Sequence, residues 1–194
     1  SSPALVDIYL DSRPNDRIRA YIRGRLNHNF SITEGQLTAW GAEQSPTSVL
    51  LDQLWLKFDI AQALYVTFGK QPLRWGSSRF WNPTDFVNSQ VRDPLAFVDE
   101  RQGVGILKLH YPIEGLGWNF YVILNADGAQ ALRDVGTALR AEILLGTTEI
   151  ALSAADKKGG PEQFGVDIST GIGLVDFRLE MAAQIGRASC RERV

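Results

Sequence analysis

Cysteine is almost missing from this sequence: its only one, Cys190, falls within the last ten residues. A disulfide framework and a thiolate metal site are therefore excluded for the rest of the chain. The two histidines, His28 and His110, have no ligand partner at helical i, i+4 spacing, so no metal and no cofactor is expected. Long apolar runs are missing as well. No uncharged stretch reaches the roughly 18 residues of a transmembrane helix, which excludes a helical membrane protein. A β-barrel is not excluded, because its strands are only half apolar. Charge of one sign is also lacking: 20 Lys and Arg stand against 22 Asp and Glu, a net charge of −2. Without a basic footprint, nucleic acid is not an expected partner. The chain begins at Ser1 without Met and shows no signal peptide.

Residues 185–194 read IGRASCRERV and match, in one reading frame, the translation of a common sequencing adapter. They are set aside as a non-native tail. Arg187, Arg191 and Arg193 outnumber Glu192 there, so residues 1–184 are more acidic than the whole.

What is present is alternation. From Arg17 the odd positions are Arg17, Arg19, Tyr21, Arg23 and Arg25, and the even ones Ile18, Ala20, Ile22, Gly24 and Leu26. A helix would scatter these arginines around its circumference, whereas a strand puts them on one face. Leu54, Leu56, Phe58 and Ile60 alternate with Gln53, Trp55, Lys57 and Asp59 in the same way. The pattern returns around Val66, Leu109, Val122, Leu139, Leu152, Val166 and Phe177, with a weaker first strand over Leu5 to Asp11. About ten strands are expected.

The links between them alternate in length. Short turns are expected at 12–16, around Ala61, at 112–117, at Gly146-Thr147 and at 171–173. Longer links cover 31–48, 72–102, 126–136 and 156–162. Alternating short turns and long loops are the habit of outer-membrane barrels, with the short turns on the periplasmic side.

A soluble sandwich also alternates polar and apolar faces. Three features favour a barrel: the loop parity, a nearly charge-free apolar face, and aromatics such as Phe58, Tyr111 and Trp118 near the short turns, like an interfacial girdle. Asp52 and Lys70 are read as charged exceptions on the apolar face, placed where strands meet long loops.

The pore-lining candidates are Arg17, Arg19, Arg23, Arg25, Lys57, Lys108, Arg140, Glu142, Asp176, Arg178 and Glu180. The arginine row forms either a basic ladder that attracts anions or, the plainer expectation, a solvated wall balanced by Glu142, Glu149, Asp176 and Glu180. The long loop is too rich in aromatic and charged residues for a disordered tip. Its candidates are Arg74, Trp75, Arg79, Trp81, Asn82, Asp85, Arg92, Asp93, Asp99, Glu100 and Arg101, forming an inward constriction or an external cap. No catalytic group is expected. Asp99 and Glu100 are adjacent and face opposite ways on a strand, and Ser77-Ser78 lacks a nucleophile-elbow frame.

Residues 69–102 also carry a resemblance. Gly69-Lys70-Gln71, Arg74-Trp75-Gly76 and Asn82-Pro83-Thr84-Asp85, followed by Arg92-Asp93-Pro94 and Asp99-Glu100-Arg101, resemble a segment of porin-like bacterial outer-membrane proteins. The resemblance implies a transmembrane antiparallel up-and-down β-barrel, all-β, of which residues 1–184 are a truncated part. An even total of roughly 12–18 strands fits the bacterial range. The expected function is a channel in the bacterial outer membrane for passive passage of small polar or ionic solutes. The alternatives are a loop-plugged outer-membrane binding or assembly barrel and a soluble ligand-binding β-sandwich. Expected partners are outer-membrane lipid and the solutes, with homo-oligomerisation left open; no enzyme activity is expected.

Overall fold

The structure, a computed structural model, describes residues 3–33, 35, 45–73, 75, 83–87, 103–157, 160–173 and 175–186. These residues form one ten-stranded sheet: β1 (Pro3–Asn15), β2 (Ile18–Asn29), β3 (Thr47–Ile60), β4 (Leu64–Gln71), β5 (Val104–Ile113), β6 (Trp118–Asn125), β7 (Gly136–Leu145), β8 (Thr148–Asp156), β9 (Glu162–Ile172) and β10 (Val175–Ile185). The strands lie side by side in chain order, with β1 and β10 at the edges, and every neighbouring pair is antiparallel. The fold is all-β and up-and-down. No helix among the described residues is long and apolar enough to cross a membrane.

The turns joining β1–β2, β3–β4, β5–β6, β7–β8 and β9–β10 are short and gather at one end of the sheet, and the longer links gather at the other. The expected turn at 12–16 proves shorter, because β1 runs on to Asn15. Its register shifts between Ser12 and Asn15, and this irregularity accommodates Pro14, which lacks an N–H for the ladder. Ile185, the first residue of the expected tail, pairs with Glu162 and ends β10.

Cross-strand partners share a face, so the registers sort the side chains. One row runs Phe58, Val66, Leu109, Val122, Leu139, Ala154 and Phe164. On the opposite face the adjoining row runs Arg19, Lys57, Thr67, Lys108, Ile123, Ala138 and Ala155. The apolar face is bare: Phe68 is 62%, Leu139 49% and Leu152 47% exposed, all on interior strands. The packed hydrophobic cluster lies on the other face, where Leu73, Trp75 and Val87 of the long loop cover Val104, Ile106, Ile123 and Ala138.

The expectation that Asp52 lies on the apolar face is wrong. A bulge opposite Arg23 and Gly24 inserts Asp52 as an extra residue, which re-aims its side chain toward Arg23 and Arg25 and buries it to 2% exposure. Lys70 does lie on the apolar face, in register with Leu54, and its ammonium donates to the Leu51 carbonyl beside the bulge at 2.9 Å. Gly69 has φ +123°, and a Cβ there would meet the Leu54 carbonyl oxygen at 2.2 Å, so this close approach of β4 to β3 requires glycine.

Candidate functional site

The polar face divides into two regions. Strands β5–β10 carry the docked loop segment, and strands β1–β4 carry the arginines.

In the docked region, one register row reads Tyr121, Arg140, Ser153 and Gly165. Arg140 on β7 reaches past β8 to Asp167 on β9 with two hydrogen bonds of 2.7 Å, and its Nε donates to Glu142 at 2.8 Å. Ser153 Oγ accepts from Arg140 at 2.9 Å and from the Trp75 indole N–H at 3.2 Å. The guanidinium lies 5.7 Å from the Trp75 ring centre, so the same cation that neutralises Asp167 also holds the loop aromatic.

Farther along, Thr84 donates to the Glu180 carboxylate at 3.1 Å, and the Asn125 amide donates to the Val87 carbonyl at 3.3 Å. Gly165 forms the floor under this stretch: a Cβ there would sit 2.9 Å from Thr84 Cγ2 and 3.1 Å from Phe86 Cζ. Asp85 lies half-buried between these anchors. The described parts of the long loop therefore lie on the polar face and do not cap its rim. Arg74, Arg79, Trp81, Asn82, Arg92, Asp93, Asp99, Glu100 and Arg101 lie outside the described residues.

In the second region the arginine row is neutralised. Arg19 makes a two-pronged bond to Asp11 at 2.9 and 2.8 Å. Arg23 pairs with Asp7 and lies 3.6 Å from Asp52, while Arg25 lies 3.1 Å from Asp7 and 3.5 Å from Asp52. The balancing acids are thus Asp7, Asp11 and Asp52 from the flanking strands, and not Glu142, Glu149, Asp176 and Glu180. Those four lie on β7, β8 and β10, with strands between them and the arginines. Arg17 stands apart and exposed beside an open cavity of about 630 Å³ at the short-turn end, lined also by Asp16, Asp59, Tyr65 and Glu114.

Two aromatic ladders cross the same face. Tyr9 stacks on Tyr21 and Tyr21 on Trp55, with centroids 6.1 and 5.3 Å apart and the Arg19 guanidinium 5.4 Å from the Trp55 ring. Tyr65, His110 and Tyr121 form the second, with His110 and Tyr121 stacked at 4.5 Å. Lys57 lies 5.1 Å over the Tyr65 ring, and Lys108 is half-buried in the same row. Asp176 lies opposite Gly171 near the β9–β10 turn, and Arg178 opposite Ser169; both are exposed.

Sequence reasoning missed Asp7, Asp11, Asp167 and Ser153. The first two were within reach of it, since Asp7, Tyr9 and Asp11 alternate on β1 as the arginines do on β2, and a hairpin lays one set on the other. Asp167 pairs with Arg140 across an intervening strand, and no local pattern marks that pair. No group of three or more potential metal ligands occurs among the described residues. No protein-family model matches the chain, and a search of curated proteins finds no relative.

Proposed function

We propose that the chain is part of a porin-like outer-membrane β-barrel that passes small polar or ionic solutes, with the polar face lining the pore and the docked segment narrowing it. The observation that carries this reading is the pairing of a bare apolar face with a polar face on which the chain's own loop is packed. A contiguous apolar surface of this extent is a liability in water and the normal outer wall in lipid. Its described charges, Lys70, Asp156 and Glu162, all sit at the long-loop end, where strands leave the hydrocarbon. Phe58, Tyr111, Phe120 and Trp118 gather toward the short-turn end, as an interfacial aromatic belt would.

A sandwich buries its apolar face against a second sheet. The described strands form one sheet in chain order, which speaks for the barrel. The docked segment also favours one second reading, a barrel plugged by its loop. Planar-bilayer recording on detergent-extracted, folded protein tests both. Stepwise conductance supports the channel. A silent protein that conducts once residues 76–101 are replaced by a short linker supports the plug. A protein that stays folded and soluble without detergent overturns the membrane reading.

A further inference from the structure

Among the described residues, Lys57 and Lys108 are two mid-strand cations of the polar face that the arginine network does not absorb. They stand in one register row on β3 and β5, with only Thr67 of β4 between them. Two strand spacings separate their backbones by about 9.6 Å, and the Lys57 ammonium lies 5.1 Å over the Tyr65 ring of the intervening strand, so one small anion is within reach of both lysine side chains. Neither lysine has an ion pair within 4.0 Å among the described residues. Of the acids on the adjoining strands, Asp11 holds Arg19 and Arg13, and Asp59 accepts the Gln62 backbone N–H at 3.0 Å. Two like charges on the strands flanking β4 without an ion-pair partner are unfavourable together, and an anion between them relieves the repulsion.

The surroundings suit an oxyanion. On the short-turn side lies the Tyr65–His110–Tyr121 ladder. His110 and Tyr121 stack at 4.5 Å, and the Tyr65 ring tilts against His110 at 5.8 Å. His110 Nε2 donates to the Asn119 amide oxygen at 2.9 Å, which fixes the ring. On the other side lies Trp55, in the row adjoining Lys57. Two lysine ammonium groups can share the several oxygens of one carboxylate or phosphate group through charge-assisted hydrogen bonds, whereas a bare halide would use the charge alone.

We propose that Lys57 and Lys108 form a two-lysine binding site for the oxyanion group of a small solute, carboxylate or phosphate. The inference rests on the channel reading for its biological use, but its test does not require ion flow.

The chain has only Lys57, Lys70, Lys108, Lys157 and Lys158, so reductive ¹³C-methylation, which keeps the charge, yields few resonances. The full chain is folded in detergent micelles, and its resonances are assigned by single Lys→Arg substitutions. It is then titrated with inorganic phosphate and, separately, with benzoate, at constant ionic strength. The expected result is that Lys57 and Lys108 shift together and saturably for at least one of the two probes, while Lys157 does not. Lys57→Gln weakens the saturation read at Lys108 about tenfold. The reciprocal variant, Lys108→Gln read at Lys57, covers the case in which the first does not fold. Shifts that stay linear, that are equal at Lys157, or that survive Lys57→Gln at Lys108 overturn the site. Binding by a protein that does not conduct sinks the channel reading and leaves the site standing; conduction with no saturable shift sinks the site alone.

Discussion

Arg140 and Asp167 are joined by two parallel hydrogen bonds of 2.7 Å although a whole strand, β8, lies between their own. Both side chains are almost wholly buried, at 7% and 2% exposure, and Trp75 of the docked segment lies over the guanidinium. Removing Arg140 leaves the buried Asp167 carboxylate uncompensated, at a cost of about 3–5 kcal/mol, whereas removing Asp167 leaves Arg140 its bond to Glu142 at 2.8 Å. Arg140→Met is therefore expected to lower stability by that order, and Arg140→Met with Asp167→Leu together by much less. Urea unfolding of the protein in detergent, followed by tryptophan fluorescence, measures both. Equal losses for the single and double variants would mean that packing, and not the charge pair, sets the cost.

Gly165 determines whether the loop lies flat. A valine there would put its Cβ into Thr84 and Phe86, both part of the docked segment. β9 itself tolerates the change, since valine suits a strand. Gly165→Val is thus expected to leave the sheet folded and to lift the segment. The readout is trypsin cleavage at Arg74, Arg79, Arg92 and Arg101, which should speed several-fold while the far-ultraviolet spectrum stays unchanged. An unaltered cleavage rate would show that the other anchors hold the loop without this floor.

These two contacts also mark where sequence reasoning stops. Period two is a property of each strand by itself, so the alternation of Leu54, Leu56 and Phe58 with Trp55 and Lys57 sufficed to place side chains on faces. Short turns force the strands they join to pair, so the five hairpins followed from turn lengths, while the pairing across the long links did not. Asp52 defeated the pattern because one inserted residue reverses the parity for its neighbours, and nothing in the residue types announces the bulge. Trp75 on Ser153, 78 positions away, depends on how a long loop returns across the sheet, which periodicity does not encode. The arginine ladder was legible as a row. Its neutralisation was half legible, through Asp7 and Asp11, and half hidden, through Asp52.

Leu139 lies on the apolar face and is 49% exposed on an interior strand. In water, replacing a side chain so exposed changes stability by no more than about 0.5 kcal/mol. In a bilayer the same side chain faces hydrocarbon, and arginine costs about 2–4 kcal/mol near the midplane. Leu139→Arg therefore separates the two environments by one substitution. We expect a loss in the larger range when refolding into phospholipid vesicles is titrated with guanidinium. A near-neutral result would place this face in water and remove the main support for a membrane barrel.

The arginine row yields the last prediction, and its sign depends on the pairing. If the arginines were bare, they would make the pore anion-selective and their removal would simply reduce that preference. They are instead matched by Asp7, Asp11 and Asp52. Replacing Arg19 and Arg23 with Gln releases Asp11 wholly from its strongest partner and leaves Asp7 and Asp52 to Arg25 alone. The local balance then turns negative, and at physiological salt, with a screening length near 8 Å, that field reaches across neighbouring strands. The reversal potential under a salt gradient should move toward cation preference. Adding Asp7→Asn and Asp11→Asn to the same protein restores neutrality, so its reversal potential should return close to that of the unsubstituted protein. A quadruple variant as cation-selective as the double one would mean that these carboxylates do not face the ion path, and the row would then be a structural seam between β1, β2 and β3.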